Sequence, residues 1–168
     1  MEQKFKGTPP RLPVIFERYS FPLYFVTFNT LLKRPLLANP VAHDAFQKYA
    51  ERGIAFHAAV GRYVLMPDHV HLFVHIGPEM TLKRWVSGLK QCLGKSLDAI
   101  GNQPTQLAGS KLKSYWQPEG FDHLLRQGER YGEKWEYVRQ NTVRAKLVTK
   151  PEDWPYQGEI FLLDRNNI

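Results

Sequence analysis

Leu23 to Thr30 (LYFVTFNT) is dense in aromatic and β-branched residues, the composition of a β-strand. Asn39-Pro40 then supplies a helix cap with proline at the first helical position, and Val41, Phe46, Tyr49 and Ala50 recur at roughly helical spacing until Gly53 closes the segment. Two more strand-like runs follow, Ile54 to Leu65 and His69 to Ile76, joined by the tight link Met66-Pro67-Asp68. The Thr81 hydroxyl is placed to cap a second helix whose apolar stripe is Leu82, Trp85, Val86, Leu89, Leu93 and Leu97, with Lys83, Arg84, Lys90 and Lys95 on its wet side. Gly101 to Gly109 has the character of a loop. Tyr115-Trp116 and Phe121 to Leu125 flank Gln117-Pro118-Glu119-Gly120 as either a strand pair with a turn or an irregular crossover. Glu129 to about Val148 is helical in pattern, and Pro151 with Trp154-Pro155 opens an irregular tail over about 150–168.

Strand, helix, two strands, helix, strand, helix is close to the split βαβ arrangement of a ferredoxin-like sandwich. The expected class is therefore α+β, an antiparallel sheet with helices packed on one face. At 168 residues and 43% hydrophobic content, residues 1–168 fit one domain with its own core, preceded by a short arm to about residue 20 that Pro9, Pro10 and Pro13 interrupt. No stretch approaches the roughly 18 apolar residues of a membrane span. The charged, proline-broken start is unlike a secretory signal, so a cytoplasmic protein with no membrane partner is expected. Cys92 stands alone and is expected as a small core residue.

The formal charge of +7 makes a polyanion the leading class of partner, with nucleic acid first. Aromatics make up 13% of the chain, and Lys113, Tyr115, Trp116, Arg126, Arg130 and Tyr131 set cations for phosphates among ring faces on which unpaired bases can stack.

His69 and His71 are two residues apart in a strand, so they project from one face while Val70, Leu72 and Val74 project from the other. Two neutral imidazoles on one rigid strand form a ready-made pair of metal ligands with positions left open for water, a third protein group or a phosphate. His75 shares that face and is expected nearby without being a ligand. In the last helix Tyr131, Trp135 and Val138 define a buried stripe, whereas Tyr137 lies about 200° around from Trp135 and faces out. Glu133, Gln140 and Asn141 share its surface.

Five segments in order resemble the REP-associated tyrosine transposases, within the single-tyrosine HUH endonuclease and transposase superfamily. They are FVTFNT at Phe25 to Thr30, YVLMPDHVHLFV at Tyr63 to Val74, YWQPEGFDHLLR at Tyr115 to Arg126, YVRQNTVRAKLV at Tyr137 to Val148, and EDWPY at Glu152 to Tyr156. The resemblance implies the HUH nuclease fold, with His69 and His71 holding a divalent metal, Mg²⁺ or Mn²⁺. It implies Tyr137 as nucleophile and Asn141 as an amide-type third ligand, with Gln140 the alternative. It also implies cleavage and rejoining of single-stranded, hairpin-containing DNA through a 5′-phosphotyrosine link, by a monomer or a homodimer. Lys90, Lys113, His123, Arg126 and Arg144 are the candidates for DNA contact. Two positions depart from the family pattern. The family usually reads Asn-Pro-Val where this chain has Asn141-Thr142-Val143, and Thr142 in place of the proline lets the helix run on; Lys146 stands where glycine is common.

A free phenol has a pKa near 10, so only about one in a thousand is ionised at neutral pH, a deficit of roughly 4 kcal/mol for attack on phosphorus. A bound cation is expected to offset it. Histidine-triad nucleotide hydrolases also use such strands, but their third histidine position is Phe73 here. The remaining alternative is a noncutting protein that only binds hairpin DNA.

Overall fold

The computed structural model describes residues 21–125 and 130–163. Five strands form one sheet in the order β6-β1-β3-β2-β7, with every neighbouring pair antiparallel: β1 is Leu23–Asn29, β2 Ala58–Leu65, β3 His69–Ile76, β6 Phe121–Leu124 and β7 Gln157–Glu159. A separate two-stranded ribbon joins β4 (Thr105–Gln106) to β5 (Lys113–Ser114). The helices are α1 (Pro40–Arg52), α2 (Leu82–Ala99), α3 (Tyr131–Arg139) and the single turn α4 (Asn141–Arg144). Both expected caps form: Asn39 accepts from the Ala42 amide at 2.9 Å and Thr81 from the Arg84 amide at 3.2 Å.

Strand alternation divides the sheet into two unlike faces. Val70, Leu72 and Val74 of β3 are fully buried on the side covered by α1 and α2, where Phe46 packs on Tyr63 with ring centroids 4.4 Å apart and Leu89, Leu93 and Leu97 complete the core. Cys92 sits between these helices, its Sγ 3.8 Å from the Ala45 carbonyl. His69, His71, Phe73 and His75 point to the other face. There α3 packs, its Tyr131 meeting Phe73 edge-on at 4.7 Å. The sandwich is as expected, except that helices flank both faces. Phe73, fully buried on the histidine face, gives α3 an apolar surface to cover there.

Several boundaries also differ from the sequence pattern. Gly53–Phe56 is a 3₁₀ turn and His57 takes a left-handed conformation, so the second strand starts only at Ala58. The stretch expected as a loop contributes β4. Tyr115-Trp116 and β6 do not pair with each other; Trp116 bridges Thr30 and Phe121 pairs with Thr27, so both lie along the same edge of β1 with residues 117–120 looped out between them. The tail is not wholly irregular, since β7 pairs with β2 and the Trp154 indole donates to the Leu65 carbonyl at 2.9 Å.

A bulge in β2 seats α3. The register with β3 slips between Val60 and Tyr63, which frees the Arg62 amide from the ladder, and it donates to the Tyr131 hydroxyl at 2.8 Å. The Arg62 guanidinium lies 5.5 Å from the Tyr131 ring and 5.8 Å from the Trp135 ring, and is 3.7 Å from the Glu159 carboxylate. Gly61 makes this approach possible, because a Cβ there would stand 2.5 Å from the Tyr131 hydroxyl and closer still to Leu163. Gly61→Ala is therefore expected to destabilise the protein by about 1–3 kcal/mol, measured as a lowered urea midpoint, by forcing α3 off the sheet.

On the opposite face His43 is 4% exposed and pairs with the Tyr63 hydroxyl at 2.8 Å. Burial pushes its pKa down from 6.5 to about 4. As pH falls the unfolded chain takes up this proton first, so stability is expected to decline from about pH 6.5 to about 4 and then level. The stability difference between the parent and His43→Gln, followed by urea unfolding across that range, should shrink on acidification.

Candidate functional site

The register of β1 with β3 builds the site from below, setting Asn29 opposite His69 and Thr27 opposite His71. The two imidazoles meet at right angles with centroids 4.7 Å apart. His69 is oriented by the residue before it: its Nδ1 lies 2.6 Å from the Asp68 carboxylate, which can only accept, so Nδ1–H donates. His71 is held from both ends. Thr27 Oγ1 is 2.7 Å from its Nδ1 and the Asn141 amide nitrogen is 3.2 Å from its Nε2. An amide nitrogen can only donate, so Nε2 is the unprotonated nitrogen and Nδ1–H donates to Thr27. Burial, aided by the neighbouring His69, pushes the His71 pKa down to about 3, and the ring stays neutral across the physiological range. Both rings thus carry a hydrogen-bond partner on Nδ1 that directs Nε2 outward, as metal-ligating histidines commonly do.

The expected continuous helix to Val148 is broken. α3 ends at Arg139, Gln140 caps it, and α4 turns Asn141 toward β3. Thr142 is fully buried and its hydroxyl returns to the Arg139 carbonyl at 2.9 Å, a local bond that competes with a straight helix. The turn closes with paired bonds, Lys146 N–H to the Val143 carbonyl at 2.9 Å and Leu147 N–H to that of Thr142 at 3.0 Å, around Lys146 at φ 56°. That is a helix C-cap that favours glycine, which accounts for Lys146 as a departure from the family pattern.

Arg144 joins the outer parts. Its guanidinium lies 4.5 Å from the Tyr137 ring centroid, donates to the Tyr137 carbonyl at 2.8 Å, and donates to the Asn141 side-chain oxygen. Tyr137 is 69% exposed, as its position opposite the buried stripe predicts. Tyr137, Arg144, Asn141, His71 and Thr27 form one connected set. Gln140 instead donates to Glu136 at 3.2 Å, so Asn141 is the amide that the fold brings to the histidines.

The other expected residues are distributed unevenly. His123 pairs opposite Phe25 in β6, on the histidine face. Lys113 is exposed in the β4–β5 ribbon. Lys90 lies away from them, with its ammonium 5.4 Å over the Phe28 ring on the helix-covered face and its pKa lowered by burial. Arg126 falls outside the described residues. His75 sits two pairs beyond His71, with Nδ1 on the Phe21 carbonyl at 2.9 Å. The sequence reading missed Thr27 and Asp68 as orienting groups, and Lys134, whose ammonium lies 5.0 Å over Phe25, the ring that stacks on His71 at 5.6 Å. Asp68 was visible as the neighbour of His69. Thr27 needed the strand register, which composition does not supply.

The donor set suits a divalent cation: two imidazoles whose Nδ1 atoms are hydrogen-bonded and whose Nε2 atoms can ligate, with an amide at hand. Among the described residues no group of three or more His, Cys, Asp or Glu gathers, so any third protein ligand has to be of another type. A groove of about 590 Å³, lined by Phe21, Pro22, Ile76 and Met80 among others, lies at the far end of β3 from His69.

A family model for IS200-like transposases matches residues 23–123. The chain belongs to that family. A REP-associated tyrosine transposase of Escherichia coli (strain K12) is 26% identical over 99 residues, 58% of this chain and 52% of that protein, so the chain spans about half the length of this curated relative. A solved REP-associated tyrosine transposase bound to a REP hairpin superposes with a TM-score of 0.57 over 98% of this chain and 96% of that one, at 18% identity, which shows a shared fold. The recognised family is thereby borne out, and the matched stretch contains the first two sequence segments and most of the third. The family match contains His69 and His71 and stops before α3, so Tyr137 and Asn141 stand on their geometry and on motif resemblance. No helix among the described residues is long and apolar enough to cross a membrane.

Proposed function

We propose that this transposase-family protein nicks and rejoins single-stranded, hairpin-containing DNA in the cytoplasm with Tyr137 as its nucleophile. The observation that carries this reading is the Arg144 bridge, which ties the exposed phenol to the amide touching His71. His69, His71 and Asn141 would hold Mg²⁺ or Mn²⁺. When bound, the cation supplies charge neutralisation and orientation at the scissile phosphate. For Asn141 to offer its oxygen, Arg144 must release it, and the freed guanidinium then becomes available to a phosphate.

Tyr137 attacks phosphorus, its phenolic oxygen forming the new P–O bond as its proton leaves to solvent. The P–O3′ bond breaks, and the departing oxygen takes a proton to become a free 3′-hydroxyl. The 5′-phosphotyrosine retains the phosphodiester, so another DNA 3′-hydroxyl can attack it and restore the phenol. Arg144 and its cation–π contact restrict the Tyr137 ring before attack. His123, Lys113 and Lys134 add positive or hydrogen-bonding groups around the path of the strand, and Arg126 is the remaining DNA candidate, whereas Lys90 sits over Phe28 on the opposite face. A noncutting hairpin binder is the second reading, favoured by the Asn141 amide, which turns its nitrogen to His71 while Arg144 holds its oxygen.

Two outcomes are expected. Incubated with labelled hairpin DNA and Mn²⁺, the parent should form a covalent adduct that resists denaturing electrophoresis and vanishes with chelator. Tyr137→Phe should form none while its Kd for that DNA stays within about twofold, since a lone surface hydroxyl adds little affinity. Equal adduct formation by both proteins would remove Tyr137 from the reaction, and tight binding without any adduct would favour the noncutting reading. Arg144→Ala should slow adduct formation by about tenfold or more with a smaller loss of affinity, and Arg144→Lys should recover only part, because an ammonium lacks the planar fork. A larger loss in affinity than in rate would make Arg144 chiefly a DNA contact.

A further inference from the structure

Leu32 and Lys33 pose a conformational problem. Four non-glycine residues among those described have φ in the left-handed region, namely Leu32 (57°), Lys33 (52°), His57 (57°) and Lys146 (56°). His57 and Lys146 each follow the end of a helical turn, where this conformation is a common cap. Leu32 and Lys33 are consecutive, which compounds the steric cost for residues with a Cβ.

The surrounding bonds impose this shape. The Leu31 amide donates to the Tyr115 carbonyl at 2.6 Å, the Lys33 amide to the Thr30 carbonyl at 3.2 Å, and the Thr30 hydroxyl to the Arg34 carbonyl at 2.8 Å. Arg34 pins the far side, reaching the Gln103 carbonyl at 2.8 Å and the Thr105 hydroxyl at 2.9 Å. The result is that Leu32 stands 72% exposed. A strained backbone that lifts a large aliphatic side chain into water has no evident folding benefit, and such strain collects at functional sites.

Its position is informative. Leu32 lies three residues beyond Asn29, the register partner of His69. The Thr30 amide donates to the Asp68 carbonyl at 2.8 Å, and the Asp68 carboxylate holds His69. On the other side the β4–β5 ribbon contributes Lys113, two residues before the Tyr115 carbonyl that anchors Leu31, and Lys33, Lys111 and Lys113 are all exposed. The apolar projection therefore sits on the turn that follows the register partner of His69, and a backbone hydrogen bond ties that turn to the segment carrying Lys113.

We propose that Leu32 is a wedge that packs against an unpaired base of single-stranded DNA next to the histidine site, with Lys33 and Lys113 taking the flanking phosphates. This rests on the DNA reading given above and adds the part of the substrate that this turn engages. An aliphatic side chain meets the face of a base only where the base is unstacked, and the lysines supply attraction without reading sequence. Paired stem DNA would present only phosphates to the same turn.

The test uses the full chain carrying Tyr137→Phe, to block chemistry, and hairpin oligonucleotides with single-stranded flanks in which 2-aminopurine replaces one flanking base at a time. The parent should change the emission at one or two positions. Adding Leu32→Gly, which relieves the left-handed strain, or Leu32→Asn, which tolerates it, should weaken Kd for this DNA by about fivefold or more and erase the emission change. Affinity for a blunt duplex of equal length should not move, and neither should the thermal midpoint fall. Unchanged affinity and emission, an equal loss on duplex, or a lowered midpoint in both variants would each overturn the wedge. A parent that binds neither DNA would overturn the DNA reading along with it, whereas a binding parent with indifferent Leu32 variants would overturn the wedge alone.

Discussion

The antiparallel register between β1 and β3 is the constraint from which the rest follows. A slip of one residue would exchange every side chain of β3 between the two faces, sending His69 and His71 into the core and Val70, Leu72 and Val74 into water. Burial of those three residues beneath α1 and α2 makes the slip costly, so the hydrophobic core sets the direction of the histidines. The same register brings Thr27 to His71, and it carries the chain on to Thr30, whose buried hydroxyl and amide reach the Asp68 carbonyl. The site's chemistry is inherited from packing on its far side.

Phe73 extends this logic to the second layer. It lies on the histidine face between His71 and His75 and supplies the ring on which Tyr131 stands, while the β2 bulge and the absent side chain of Gly61 leave room for that contact. α3 can therefore pack close to the sheet, and the turn after Arg139 delivers Asn141 to His71. Arg144 completes the arrangement by answering three groups at once, the Asn141 oxygen, the Tyr137 carbonyl and the Tyr137 ring. One guanidinium thus couples the helix carrying Tyr137, the proposed nucleophile, to the residues proposed as metal ligands.

Much of this was legible in the residues. The alternation of β3, the caps at Asn39 and Thr81, the exposed side of Tyr137 and the antiparallel α+β class all follow from local patterns, because periodicity and capping act over a few residues. The break at Gln140 was not legible: Tyr131 to Val148 keeps a helical composition, and the interruption depends on the Thr142 hydroxyl returning to the backbone and on the pull of His71 across the sheet. The strand β7 and the placement of α3 on the second face were equally hidden, since both depend on pairings distant in sequence. Lys90 illustrates the limit for charges. Its position on a wet helix side looked available to DNA, yet its ammonium lies over Phe28 on the covered face. Thr27 gains its role only from His71, 44 residues away along the chain, a separation at which composition carries no register.

The most direct measurement of the central claim is a titration of the protein, with its histidine ring nitrogens labelled for NMR, using substoichiometric Mn²⁺. A cation held by the outward Nε2 atoms beside Asn141 broadens the signals of His69 and His71 first and leaves His43, on the opposite face, and His57 sharp until much more is added. Asn141→Ala should then require more Mn²⁺ for the same broadening. Uniform broadening of all the histidines, or broadening that begins elsewhere while His69 and His71 remain sharp, would contradict the assignment of this pair as the metal-binding heart of the site.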